Sequence, residues 1–124
     1  MSKQHSEKFV KLVNDALTRV KEIDSEETAG LIQDGEEFSL IDVRETHEWK
    51  QGRIPGAVHL SKGVIEREIE SVIPDKKRDI ILYCGGGYRS ALAADNLKKM
   101  GYKNVKSLAG GWRKWKEKDL PTES

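Results

Sequence analysis

Asp79-Ile80-Ile81-Leu82-Tyr83-Cys84-Gly85-Gly86-Gly87-Tyr88-Arg89-Ser90 is the stretch from which the rest of the chain is read. Ile80 to Tyr83 form an apolar run suited to a buried strand, and the run delivers the only cysteine of the 124-residue chain into a glycine-rich turn. A helix pattern follows at once. Ser90, Ala93, Ala94, Leu97 and Met100 mark one face, and Gly101 supplies a C-terminal stop. A turn of small residues lets successive backbone N–H groups converge on one spot, and a helix start adds its positive end. Both favour negative charge, the form in which a thiol is a nucleophile.

Upstream, Phe38 to Val43 reads as a second buried strand, closing on polar Asp42 and Arg44. Residues 45–51 then predict a short helix, and Gly52-Arg53-Ile54-Pro55-Gly56 a tight connection, because proline disfavours helix at Ile54. Residues 57–60 form another short strand. Ser61 precedes a helix over 64–72, with Val64, Ile65, Ile69 and Val72 on one face before Pro74 ends it. At the start of the chain, Phe9, Leu12, Val13, Ala16, Leu17 and Val20 recur at helical spacing behind Ser6, a candidate N-cap. They predict an amphipathic helix laid over apolar area. Residues 20–23 follow as a short edge strand, and Ser25 is expected to cap a helix over 26–33 that Asp34-Gly35 closes. Downstream, residues 104–108 supply a fifth strand candidate. The last helix holds Trp112 and Trp115, three apart on one face as core or lid packing. Strands alternating with helices predict an α/β layout with a mostly parallel sheet. Ligands in such sheets gather at the carboxyl ends of the strands; Cys84 lies at one such end, Asp42 and Arg44 at another.

Composition narrows the classes. Lys and Arg number 22 against 21 Asp and Glu, leaving a net charge of +1, so no bulk charge favours nucleic acid. One cysteine allows no intramolecular disulfide and agrees with a reducing compartment. Residues 1–8 lack the apolar core of a signal peptide, and no run is long enough to span a bilayer, so the expected location is the cytoplasm, away from membranes. His5, His47 and His59 are scattered and offer no ligand spacing with Cys84; neither a metal nor another cofactor is expected.

Cys84 taken alone is also readable as a small buried apolar residue ending a strand. Gly85, Gly86 and Gly87, with Arg89 two positions on, point instead to a nucleophile. Such a position has exposed backbone amides and a fixed cation, which a core residue does not need. Residues 85–89, Tyr88 included, are then the anion cradle, with Arg89 its cationic edge. Asp42, Arg44 and Arg53 are candidates for the rim. No histidine adjoins Cys84 in sequence, so activation by backbone amides and helix field is favoured over a Cys–His pair.

Several blocks, in order, resemble a rhodanese domain: Leu40-Ile41-Asp42-Val43-Arg44-Glu45, Glu48-Trp49, Gly52-Arg53-Ile54-Pro55-Gly56-Ala57, Tyr83 to Ser90, and Leu108-Ala109-Gly110-Gly111-Trp112. The resemblance covers about residues 23–120. It divides the chain into a rhodanese-like domain over 21–124 and an N-terminal helical extension over 1–20. It implies a five-stranded parallel sheet flanked by helices, and a sulfurtransferase in which Cys84 carries a persulfide. The donor would be thiosulfate or a protein persulfide and the acceptor cyanide or a cellular thiol. Cysteine phosphatases of related fold place five residues between cysteine and arginine, whereas residues 85–88 are four. A phosphatase or arsenate reductase using the same cysteine, and a non-catalytic binding module of this fold, stand as alternatives. The family more often has histidine at Arg53 and tyrosine or phenylalanine at Trp49. Members efficient with thiosulfate often carry basic side chains inside the loop, where this chain has Gly-Gly-Gly-Tyr.

Overall fold

The computed structural model describes residues 5–124, so the first four residues of the expected extension lie outside it. Strands β1 (Lys21–Ile23), β2 (Ser39–Asp42), β3 (Val58–His59), β4 (Ile80–Tyr83) and β5 (Val105–Leu108) form one sheet in the order β1-β5-β4-β2-β3. Every pairing is parallel. The helices are α1 (Glu7–Leu17), α2 (Ser25–Gln33), α3 (Thr46–Gln51), α4 (Ile65–Val72), α5 (Tyr88–Lys99) and α6 (Gly111–Glu117). Among the described residues, no helix is long and apolar enough to cross a membrane.

β4 sits at the centre of the sheet, buried on both faces, which is why its run is continuously apolar rather than alternating. Its side chains still alternate in direction. Ile80, Leu82 and Cys84 join Ile65, Ile69, Ala93, Ala94 and Leu97 on the side of α4 and α5. Ile81 and Tyr83 join Leu40, Leu108 and Trp115 on the other, with Trp112 packed partly buried against them. The small alanines let α5 lie close to the sheet.

α1 packs on α5. Ser6 caps it, accepting from Phe9 N at 3.2 Å, and Val13 and Ala16 are its buried face. The Arg19 guanidinium reaches both carboxylate oxygens of Asp95 at 2.9 Å and ties the end of α1 to α5. At the other end, the rings of His5 and Phe9 lie 4.4 and 5.8 Å from that of Tyr88.

Some local expectations shift. Leu12 is at the margin of its helix face and 55% exposed. Asp24 rather than Ser25 caps α2, its carboxylate accepting from Glu27 N at 2.7 Å, and Ser25 becomes the first buried helical residue. In α4 the buried stripe is Ile65, Ile69 and Ile73; Val72 is exposed because Ile73, four residues after Ile69, continues the stripe in its place. α5 starts at Tyr88, two residues before Ser90, since Gly87 with φ +98° completes the turn.

Candidate active site

Cys84 follows β4 and is buried, with its sulfur at the focus of the loop. The backbone N–H groups of Gly87 and Ser90 point at Sγ from 3.1 and 3.3 Å. The thiol donates to Ser90 Oγ at 3.4 Å, and Ser90 Oγ shares a 2.8 Å hydrogen bond with Ser107 Oγ on β5. Both serines are fully buried. The sulfur is therefore met by two amide donors at the first turn of α5, which stabilise negative charge without a neighbouring histidine, while its proton is directed at the Ser90 hydroxyl oxygen. His59 is engaged elsewhere: its Nε2 lies 2.8 Å from the Arg44 carbonyl oxygen and its ring stacks on Trp49. His47 is exposed on α3.

α6 closes the loop from outside. Trp112 N donates to the Cys84 carbonyl at 2.8 Å and Arg113 N to that of Gly85 at 3.0 Å. Gly111, at φ +54°, makes this approach feasible. A β-carbon there would overlap the Cys84 carbonyl oxygen and come within 2.9 Å of the Gly85 carbonyl carbon.

Arg89 stands at the loop edge and faces Glu48 of α3. Its Nη1 and Nη2 reach the two carboxylate oxygens at 2.9 and 3.2 Å. The Arg89 bond pulls the Glu48 carboxyl down to about 2, with partial burial opposing and the Glu45 amide assisting. The same bond holds the guanidinium above its ordinary value. Tyr88 ends the loop beneath the aromatic contact from α1.

Asp42 and Arg44 form a buried pair. Arg44 Nη2 lies 2.7 Å from Asp42 Oδ2, Arg44 N donates to Oδ1 at 2.9 Å, and Nη2 also donates to the Gly52 carbonyl at 2.6 Å. The guanidinium lies between the rings of Tyr83 and Trp112, 5.7 and 4.9 Å from their centroids. Burial pulls its proton affinity down, but the bonds and charge of Asp42 outweigh this and raise it. The sequence places these two residues at the rim; the structure places them under it. Arg53 is held by the Trp49 carbonyl at 2.9 Å and stacks on the Trp49 ring, and its backbone pairs with Glu123. A polar cavity of about 550 Å³ lies beside this region, lined by Arg44, Glu48, Gly52, Trp112 and Lys116 among others. The structure thus gathers residues 84–90 at one point and leaves Asp42, Arg44 and Arg53 in supporting contacts. It adds Ser107 and Arg113, which the sequence offers no local reason to select, and gives Glu48, present in the resemblance without a role, its partner in Arg89. Among the described residues, no cluster of three or more His, Cys, Asp or Glu side chains is set to hold a metal ion.

A parallel α/β sheet with a cysteine cradled at the end of its central strand defines the class of protein. Residues 24–118 match the rhodanese-like domain, and the chain belongs to that family. A sulfurtransferase of Allochromatium vinosum is 40% identical over 102 residues, covering 82% of this chain and 94% of the relative. A thiosulfate sulfurtransferase of Coxiella burnetii is 34% identical over 77 residues, 62% of this chain and 70% of that protein. Among solved structures, a Rhodopseudomonas palustris protein of unknown function, described as a possible tyrosine phosphatase, superimposes with a TM-score of 0.88 at 25% identity over 99% of both chains. The Alr3790 protein of Anabaena gives 0.74 at 30% identity, covering 82% of this chain and 91% of that one.

Proposed function

We propose that this chain is a sulfurtransferase that takes a sulfane sulfur from thiosulfate or a persulfide onto Cys84 and passes it to a thiophilic acceptor, cyanide or a thiol. The observation that carries the reading is the convergence of the Gly87 and Ser90 N–H groups on Cys84 Sγ. The Cys84 thiolate attacks the outer sulfur of the donor. A new Sγ–S bond forms while the donor S–S bond breaks, its electron pair leaving with sulfite or with the donor thiolate. In the second half, the acceptor attacks the terminal sulfur and the Sγ–S pair returns to Cys84. Negative charge stays inside the loop throughout. Removing one preorganised donor from a site of this kind costs about 2.7 to 4 kcal/mol of transition-state stabilisation. Residues 85–88 cradle the persulfide and Arg89, fixed by Glu48, forms the loop edge. A single reduced thiol suits the cytoplasm.

Intact mass after incubation with thiosulfate or cysteine persulfide tests the reading. One added sulfur atom, removed by cyanide or thiol and absent in Cys84→Ala, is the expected result. Phosphatase chemistry is the second reading, favoured by the description of the Rhodopseudomonas palustris neighbour as a possible tyrosine phosphatase. Robust aryl-phosphate hydrolysis lost in Cys84→Ser, without any sulfur adduct, would replace the first reading by the second. Partner binding unaffected by Cys84→Ala, again without an adduct, would make the chain a binding module.

A further inference from the structure

Residues 85–88 contain no basic side chain, and Arg89 is paired through two nitrogens with Glu48. An anionic donor reaching the loop therefore meets a neutral pair at that edge. A second cation stands on another side. The Arg113 backbone is fixed to the loop by its hydrogen bond to the Gly85 carbonyl. Its guanidinium lies over Gly86, where a β-carbon would sit 3.7 Å from Nη1 and 3.9 Å from Nη2. The side chain is exposed, and among the described residues no carboxylate pairs with it. Gly86 has no side chain to intervene between this guanidinium and the loop backbone.

We infer that Arg113, reaching the loop from α6, binds the oxygens of a sulfur oxyanion donor such as thiosulfate and is the residue that sets preference for such a donor over one without sulfonate oxygens. The inference rests on the sulfurtransferase reading above. A guanidinium offers a planar fork of N–H donors that matches two oxygens of one sulfonate group, which a lysine ammonium does not. In the transfer, thiosulfate carries two negative charges and the Cys84 thiolate one. The products are a Cys84 persulfide with one charge and sulfite with two, so the step balances without an external oxidant. Arg113 holds the oxygen-bearing sulfur both before and after the S–S bond breaks. Such uniform binding acts on KM more than on kcat. The cation absent from residues 85–88 is thus supplied by α6, brought there by the close approach that Gly111 permits.

The test compares sodium thiosulfate with cysteine persulfide, whose leaving group has no sulfonate oxygens, in wild type, Arg113→Gln and Arg113→Lys. In Arg113→Gln, KM for thiosulfate is expected to rise about tenfold, equivalent to about 1.4 kcal/mol, with kcat changed much less. The ratio of kcat/KM for thiosulfate to that for the persulfide falls by a similar factor. Arg113→Lys recovers part of the loss, and the salt dependence of the thiosulfate KM flattens in Arg113→Gln. An unchanged thiosulfate KM, or equal losses with both donors, overturns the assignment of Arg113. Loading of wild-type Cys84 by persulfide in the same experiment would then leave the sulfurtransferase reading standing, whereas no adduct from either donor would remove both.

Discussion

The carboxyl ends of β2 and β4 lie side by side, with Asp42 paired in register to Tyr83, yet the polar groups beyond them are used in opposite ways. After β2, Asp42 and Arg44 satisfy each other and the Gly52 carbonyl, and two aromatic rings enclose the guanidinium. After β4, backbone N–H groups are aimed at one sulfur atom, the atom that the proposed reading has meet a donor from outside. Position at a strand end is shared. What separates the two is what the polar groups are matched to: an oppositely charged side chain and a carbonyl after β2, and after β4 a single sulfur atom that negative charge would bind more tightly to its amide donors.

Asp42→Ala would attack this distinction hardest. It leaves Arg44 buried without its counter-ion, and the expected loss is about 3 to 5 kcal/mol of stability, read from the urea midpoint. A loss below about 1 kcal/mol would mean that the pair behaves as a solvated rim, and the contrast between the two strand ends would dissolve. Gly111→Ala tests the other side. Overlap with the Cys84 carbonyl and a positive φ should cost about 1 to 3 kcal/mol, and sulfur loading at Cys84 should fall along with stability as α6 lifts from the loop. Unchanged stability and loading would show that the loop holds its shape without α6.

Glu48→Gln gives the smallest effect and sharpens the comparison by acting on a pair of intermediate exposure. The Glu48 carboxyl is lowered in the folded state to about 2, so its pairing with Arg89 contributes fully above its ordinary value of 4.5 and is lost as pH falls from there towards 2. With solvent screening the contribution is about 1 to 2 kcal/mol. Urea titrations should therefore show wild type more stable than Glu48→Gln at pH 6 and the difference vanishing near pH 2. A difference that grows with acidity would contradict the pairing.

The alternation of strands and helices is legible in the sequence because β4 is apolar on both faces and glycine or proline punctuates the turns around it. The Cys84 loop is legible for the same local reason: a strand, three glycines and a helix start lie consecutively. Contacts made across the fold are not. Arg89 meets Glu48 from 41 residues away, and Ser90 meets Ser107 from a neighbouring strand, so neither pairing leaves a pattern at its own position. Arg113 reads locally as one more charge in a basic helix. Asp24 and Ser25 are adjacent residues of equal capping merit, and only the extended backbone of Asp24 decides between them. Val72 and Ile73 differ in the same way, the buried member being the one that keeps step with Ile69.

The strand order has a consequence in time. β1 is made early but pairs with β5, joining Lys21–Ile23 to Lys106–Leu108 across most of the chain. Pairings of such sequence separation form late, since the intervening segment must be gathered before they are rewarded. The amides of Trp112 and Arg113 that secure the Cys84 and Gly85 carbonyls arrive later still. A growing polypeptide therefore displays its thiol before it possesses the chamber for it. On the reading proposed above, the α6 contacts to the Cys84 and Gly85 carbonyls are the last part of the loop's surroundings to be put in place.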